Sequence, residues 1–262
     1  MSIDRPYTTQ LQAGLGLVSE TRQLLDLWSP GMSANTLHEV ALTSGRFPTV
    51  SARRLRNIIV ECFAPRYLVD SGTPAVHLKC LSPAISTSEL TQLMLLFTSR
   101  ANPILGDFVR LVYWPRYAGG YTEIANVDAR TFVERGIDDG RTTKRWSDGT
   151  VRRVSAYLTG CCADYGMLER GTRTSRRILP FRISPAASAY LAHELHFSGV
   201  ADNSLLVHED WQLFGLARED VLDEIKRHSL AGLLIVQTAG DSVRISWKQP
   251  NMEALCDVLA QG

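Results

Sequence analysis

Apolar side chains recur at helical spacing over most of this chain, and the clearest departure from that period lies near the C-terminus. Leu233 to Gln237 is a β-rich run, and Ala239-Gly240-Asp241 supplies a turn. Val243, Ile245 and Trp247 then alternate with Arg244 and Ser246. This pattern predicts a hairpin, preceded by a helix from Ala217 to Leu230 and followed by a short one from Met252 to Leu259. Helices are also expected at Ser19–Trp28, at Ser33–Leu42 and from near Ser51. In the last of these, Leu55, Ile58, Ile59, Cys62 and Phe63 form an amphipathic stripe. Pro65 is expected to stop it. Residues 70–83, with Gly72, Pro74 and Pro83, read as a break, and helices resume at about 86–99, 104–117 and 128–137. No internal repeat of fixed period is evident.

Ser147 is placed to cap a longer helix whose Val151, Val154, Leu158, Cys162 and Tyr165 share one face. Beyond it, Gly166 to Glu169, the run RGTRTSRR and the run ILPFRI predict a second hairpin. Helix followed by two-stranded wing is the order of a winged helix-turn-helix. The expected fold is therefore mainly α, a helical bundle with helix-turn-helix and winged-helix modules and two short β-hairpin wings. Three modules are expected: a helix-turn-helix-like one over 1–70, a helical core ending in a basic winged helix over 84–183, and an acidic winged-helix-like one over 184–262.

Net charge is only +1, but it is segregated. Residues 141–183 carry nine Arg and Lys144 against Asp148, Asp164 and Glu169, whereas residues 184–262 carry five basic against eleven acidic groups. One part of the chain is thus suited to face an anion. Arg152 and Arg153 fall in the first two turns of the 147–165 helix, off its apolar stripe. A recognition helix enters the major groove by that end, and an Arg fork there can grip guanine or phosphate. Lys144 and Arg145 upstream, and Arg170, Arg173, Arg176 and Arg177 in the wing, would flank it on phosphates. A weaker version is Arg53, Arg54, Arg56 and Asn57 at the start of the Ser51 helix. The C-terminal helix instead presents Glu219, Asp220, Asp223 and Glu224, which phosphates repel. It reads as a structural or protein-contact element. The bland alternative for the basic segment is a solvated surface helix, or one that docks on the acidic tail.

The chain's 45% hydrophobic and 21% charged content exclude disordered and collagen-like classes. Its longest apolar run, Leu230 to Ala239, is about half of the roughly 20 residues that a membrane span needs, so no membrane partner is expected. The opening MSIDRPYTTQ carries no signal core, and five Cys without a C-x-x-C pair read as reduced thiols, which together point to the cytoplasm. Enzyme signatures are poor, and neither catalytic residues, a metal nor another cofactor is expected. Gly14-Leu15-Gly16 lacks the third glycine of a dinucleotide loop. His193 and His196 are three apart, where a zinc-protease helix needs four.

The strings GLVSETRQLLDLW, SARRLRNIIVECF, LGDFVRLVYWPRY and WSDGTVRRVSAYLTGCCADYGML with RRILPFRISP resemble the BrxA family. The tail segments DWQLFGLAREDVL and AGDSVRISWK resemble its longer members. The resemblance implies a non-enzymatic, mostly helical accessory protein of BREX bacteriophage-exclusion systems. It further implies helix-turn-helix elements, double-stranded DNA as the partner with other BREX proteins alongside, and a part similar to the helical antitermination factor NusB. An older description of the family as inner-membrane proteins conflicts with the lack of a spanning segment. The alternatives are an RNA-binding, antitermination-like helical protein and a protein–protein scaffold within the defence complex.

Overall fold

The computed structural model describes residues 5–13, 16–171 and 174–261. Gly14 and Leu15 of the glycine pair, and Arg173 of the wing, lie outside them. The structure is mainly helical, with two short antiparallel strand pairs among the described residues. Contacts divide it into two compact units. The first is Met1–Val76 with Met94–Pro180, and the second is His77–Leu93 with Phe181–Gly262.

The first unit opens with α1 (Val18–Leu27) and α2 (Ala34–Thr43), the latter capped by Ser33, whose Oγ accepts from the Thr36 amide at 3.1 Å. α3 (Ala52–Asn57) begins at Ser51 in the same way and passes through a π-helical stretch, Ile58–Phe63, into α4 (Ala64–Tyr67). The helix therefore continues past Pro65 instead of stopping there. In the widened turn the Ala64 amide reaches back to the Ile59 carbonyl, five residues away. The wider turn makes room for a ring that would clash in a regular helix. α5 (Thr73–Leu81) lies inside the segment read as a break, with Pro74 in its first turn, where a missing amide proton is harmless. α6 (Thr87–Ala101) follows.

The device at Pro65 then recurs. α7 (Pro103–Phe108) passes through a second π-helical stretch, Val109–Tyr113, into α8 (Trp114–Ala118), where the Trp114 amide reaches Val109. Both stretches lead into Pro-Arg-Tyr, at 65–67 and at 115–117. This recurrence is confined to two helices and sets no period along the chain. The copies differ in burial: Arg66 and Tyr67 are buried, whereas Tyr117 is exposed.

β1 (Glu123–Ala125), α9 (Asn126–Asp138), α10 (Asp148–Asp164) and β2 (Ser175–Arg177) complete the unit. α9 and α10 pack along their lengths, with Val133, Val151, Val154 and Leu158 buried. β1 pairs antiparallel with β2, Glu123 opposite Arg177. The expected second strand thus starts earlier than ILPFRI, and it has a partner that the sequence pattern did not show. On its other side the hairpin closes through Leu168 opposite Ile178, with the Glu169 amide on the Arg177 carbonyl at 2.9 Å. An N-terminal segment fastens the α9–α10 connection. The Tyr7 amide donates to the Arg141 carbonyl at 2.6 Å, and the Tyr7 hydroxyl donates to Asp107 at 2.7 Å. Gly136 is required here, because an added Cβ would stand 2.7 Å from the Tyr7 ring.

The second unit is built around α11 (Pro185–Phe197), whose Ala187 to His193 are all buried. α12 (Asp202–Leu205) and a 3-10 turn, Glu209–Phe214, lead to α13 (Arg218–Leu230). β3 (Leu234–Ala239) and β4 (Ser242–Trp247) follow with Val236 opposite Ile245, and α14 (Met252–Gln261) ends the chain. Asp202 and Asn203 accept from the Ile245 and Val243 amides at 2.8 and 3.1 Å, so two side chains occupy the flank of β4 that a third strand would take. Among the described residues no helix is long and apolar enough to cross a membrane, and no group of His, Cys, Asp and Glu is arranged to hold a metal ion. The five Cys are free thiols.

Candidate nucleic-acid interface

The start of α10 is fixed by Ser147, whose Oγ accepts from the Thr150 amide at 3.3 Å. With the cap there, Val151, Val154 and Leu158 turn inward while Arg152 and Arg153 stay exposed. Lys144 and Arg145 lie exposed in the connection just before the cap. Four of the expected cations are thereby gathered around one helix entrance, whose free backbone amides add positive potential.

Two of them are balanced locally. Arg152 donates to Asp148 at 3.1 Å, and Arg145 to Asp138 at 3.1 Å. These pairs are open to solvent, so each contributes little to stability and yields readily to another anion. Arg170 and Arg177 are exposed on the hairpin, the latter 4.0 Å from Glu169. Arg176 is different. It is half-buried and donates to the Glu169 carbonyl at 3.1 Å, so it braces the hairpin and is poorly presented to a ligand.

Arg53, Arg54 and Arg56 are exposed on α3, with Asn57 half-buried behind them. They form a basic set on a different helix of the same unit. The sequence reading missed Arg130 on α9, which donates to Asp148 at 2.5 Å and to Glu134 at 2.8 Å. The Arg130–Glu134 spacing of four was visible as a helical pair. The contact with Asp148 is tertiary and was not.

Another part of this unit is rich in aromatic side chains. Trp114 packs edge-on to Tyr117 with centroids 5.2 Å apart, and the Arg116 guanidinium lies 4.7 Å over the Tyr121 ring. Arg116 is neutralised by Asp128 at 2.6 Å. Leu111, Tyr121 and Val127 are 65%, 58% and 64% exposed in the same region of the sequence.

The corresponding end of α13 is acidic. Glu219 is 79% exposed, Asp220 accepts from the Ala217 amide, and Asp223 pairs with Lys226. Deeper in this unit, Ser188 is 2.9 Å from His228 Nε2 and 3.4 Å from Glu224, a set that looks like an activated nucleophile. Ser188 is fully buried, and His228 and Glu224 are 3% and 6% exposed, so no substrate reaches them. The trio holds α13 on α11.

A family model described as BrxA matches residues 5–194. No curated protein matches the chain. The crystal structure of an uncharacterized protein from Magnetospirillum magneticum is similar over 73% of this chain and 95% of that one, with a TM-score of 0.59 and 16% identity. At that identity the likeness is one of fold.

Proposed function

The chain belongs to the BrxA family, a BREX-associated family, and from that premise we propose that it binds double-stranded DNA as a non-enzymatic accessory protein of anti-phage defence. The observation that carries the reading is the exposed cluster Lys144, Arg145, Arg152 and Arg153 at the entrance of α10. The elements around it run helix (α7 to α8), strand (β1), helix (α9), helix (α10) and hairpin, with β1 pairing on the hairpin's second strand. That order and pairing support reading the region as a winged helix-turn-helix, with α10 in the place of the recognition helix. The α3 arginines serve as an auxiliary contact. α13, acidic at its start, turns towards other proteins of the system.

Mobility-shift titrations of the purified protein on duplex DNA, at several salt concentrations, test this. If about five cations meet phosphates, log affinity falls against log salt with a slope of about −4 to −5. Single-stranded RNA of equal length competes poorly, because a winged helix needs a groove. RNA that displaces the duplex would favour the antitermination-like alternative.

The exposed Leu111, Tyr117, Tyr121 and Val127 favour a second reading, a scaffold role within the defence complex. Aromatic residues and Arg are enriched at interface centres. In coexpression with the other BREX proteins, Tyr117→Ser with Tyr121→Ser lowers co-purification on this reading and leaves duplex binding unchanged. Undiminished co-purification would remove it.

A further inference from the structure

One carboxylate in the basic cluster is shared between two helices. Asp148 Oδ1 accepts from Arg130 of α9 at 2.5 Å, and its Oδ2 accepts from Arg152 of α10 at 3.1 Å. Arg130 is held from its other side by Glu134 at 2.8 Å. The side chains of Arg130, Arg152 and Asp148 are 44%, 74% and 58% exposed, so the whole arrangement faces solvent. Two guanidiniums this close repel each other unless an anion lies between them, and Asp148 is that anion in the free protein.

We propose that Arg130 and Arg152 form one phosphate-binding site bridging α9 and α10, with Asp148 as a place-holder that a DNA phosphate displaces. This rests on the duplex-DNA reading and adds Arg130 to it. A phosphodiester carries one negative charge and two free oxygens, as a carboxylate does, and guanidinium forks accept either. Asp148 keeps both forks side by side, so the phosphate meets a preformed site. The same carboxylate competes for the site and weakens non-specific binding. The Arg152 hydrogen bond, followed by Arg130, draws the Asp148 carboxyl below the ordinary Asp range, so it remains charged at neutral pH and is removed only by exchange.

The test is a double-mutant cycle read by fluorescence anisotropy on a labelled mixed-sequence duplex of about 20 base pairs, across a salt series. Arg130→Ala is expected to weaken binding and reduce the salt slope by about 0.9, as for any residue neutralising one phosphate. Asp148→Asn is expected to tighten binding by about three- to fivefold, the range of a released surface ion pair. In an Arg130→Ala/Arg152→Ala background that gain should shrink to the small effect of deleting one negative charge near DNA. Circular dichroism and thermal melts of each variant confirm the fold, which Ser147 continues to cap.

A folded wild-type protein that binds no duplex would overturn the DNA reading together with this site. A wild-type protein that binds duplex while Arg130→Ala leaves the slope unchanged overturns the site alone. So does a gain from Asp148→Asn that persists in full in the double-alanine background.

Discussion

Replacing Arg152 and Arg153 together by Glu is expected to lower duplex affinity by about 100-fold or more near 0.1 M salt, at roughly 1–3 kcal/mol for each lost contact. Two cations disappear and two anions replace them where phosphate or guanine should lie, so the salt slope should also fall by about 2. Helix content should hold, since neither side chain shares the buried Val151–Val154–Leu158 face. The change also takes Arg152 from Asp148 and leaves that carboxylate to Arg130 alone. Equivalent changes at Arg53 and Arg54 should have a smaller effect if α3 is auxiliary. A folded Arg152→Glu/Arg153→Glu protein with wild-type affinity and slope would show that α10 does not face DNA.

The second large effect is on stability at acid pH. Burial, followed by the neighbouring charges of His193 and Arg227, pushes the His228 imidazole down to about 4. His77 and His193 are lowered as well, chiefly by burial. Once unfolded, each imidazole returns to about 6.5 and binds a proton that the folded unit refuses. Between those values the unfolded chain holds more protons, so stability rises with pH. The stabilisation is complete above about 6.5 and is lost as pH falls through about 4, amounting to about 3 kcal/mol for His228 alone. Denaturant titrations from pH 7.5 to 4 should show this loss, and His228→Leu should flatten part of it. An acid slope unchanged in that variant would place the titrating groups elsewhere.

What the sequence conveyed depended on whether the signal was periodic or tertiary. The inward face of α10 is set by helical spacing and the strands of the C-terminal hairpin by local alternation, and both elements could be read directly, although β3 runs on to Ala239, inside the expected turn. β1 could not. The three residues Glu123–Ala125 carry no period, and only their pairing with Ser175–Arg177 makes them a strand. Pro65 and Pro74 misled for one reason: a proline stops a helix only when a carbonyl stands in its way, and a π turn or a first turn removes that obstacle. In the basic cluster, residue type located Arg152 and Arg153. It could not separate them from Arg176, whose guanidinium faces the Glu169 carbonyl, and it gave no sign that Arg130 folds back to Asp148.

The two acceptors beside β4 have a consequence for the protein's behaviour in a crowd. A two-stranded ribbon leaves outward-pointing amides on each strand, a template on which a foreign strand can add. On β4 the Val243 and Ile245 amides are already engaged by Asn203 and Asp202. An incoming chain would have to displace a carboxylate and a carboxamide to reach these two amides. Val243 and Ile245 also turn their side chains into the core, so that flank offers little apolar surface to a newcomer. The short helix α12 therefore guards the β4 flank against cross-chain sheet growth.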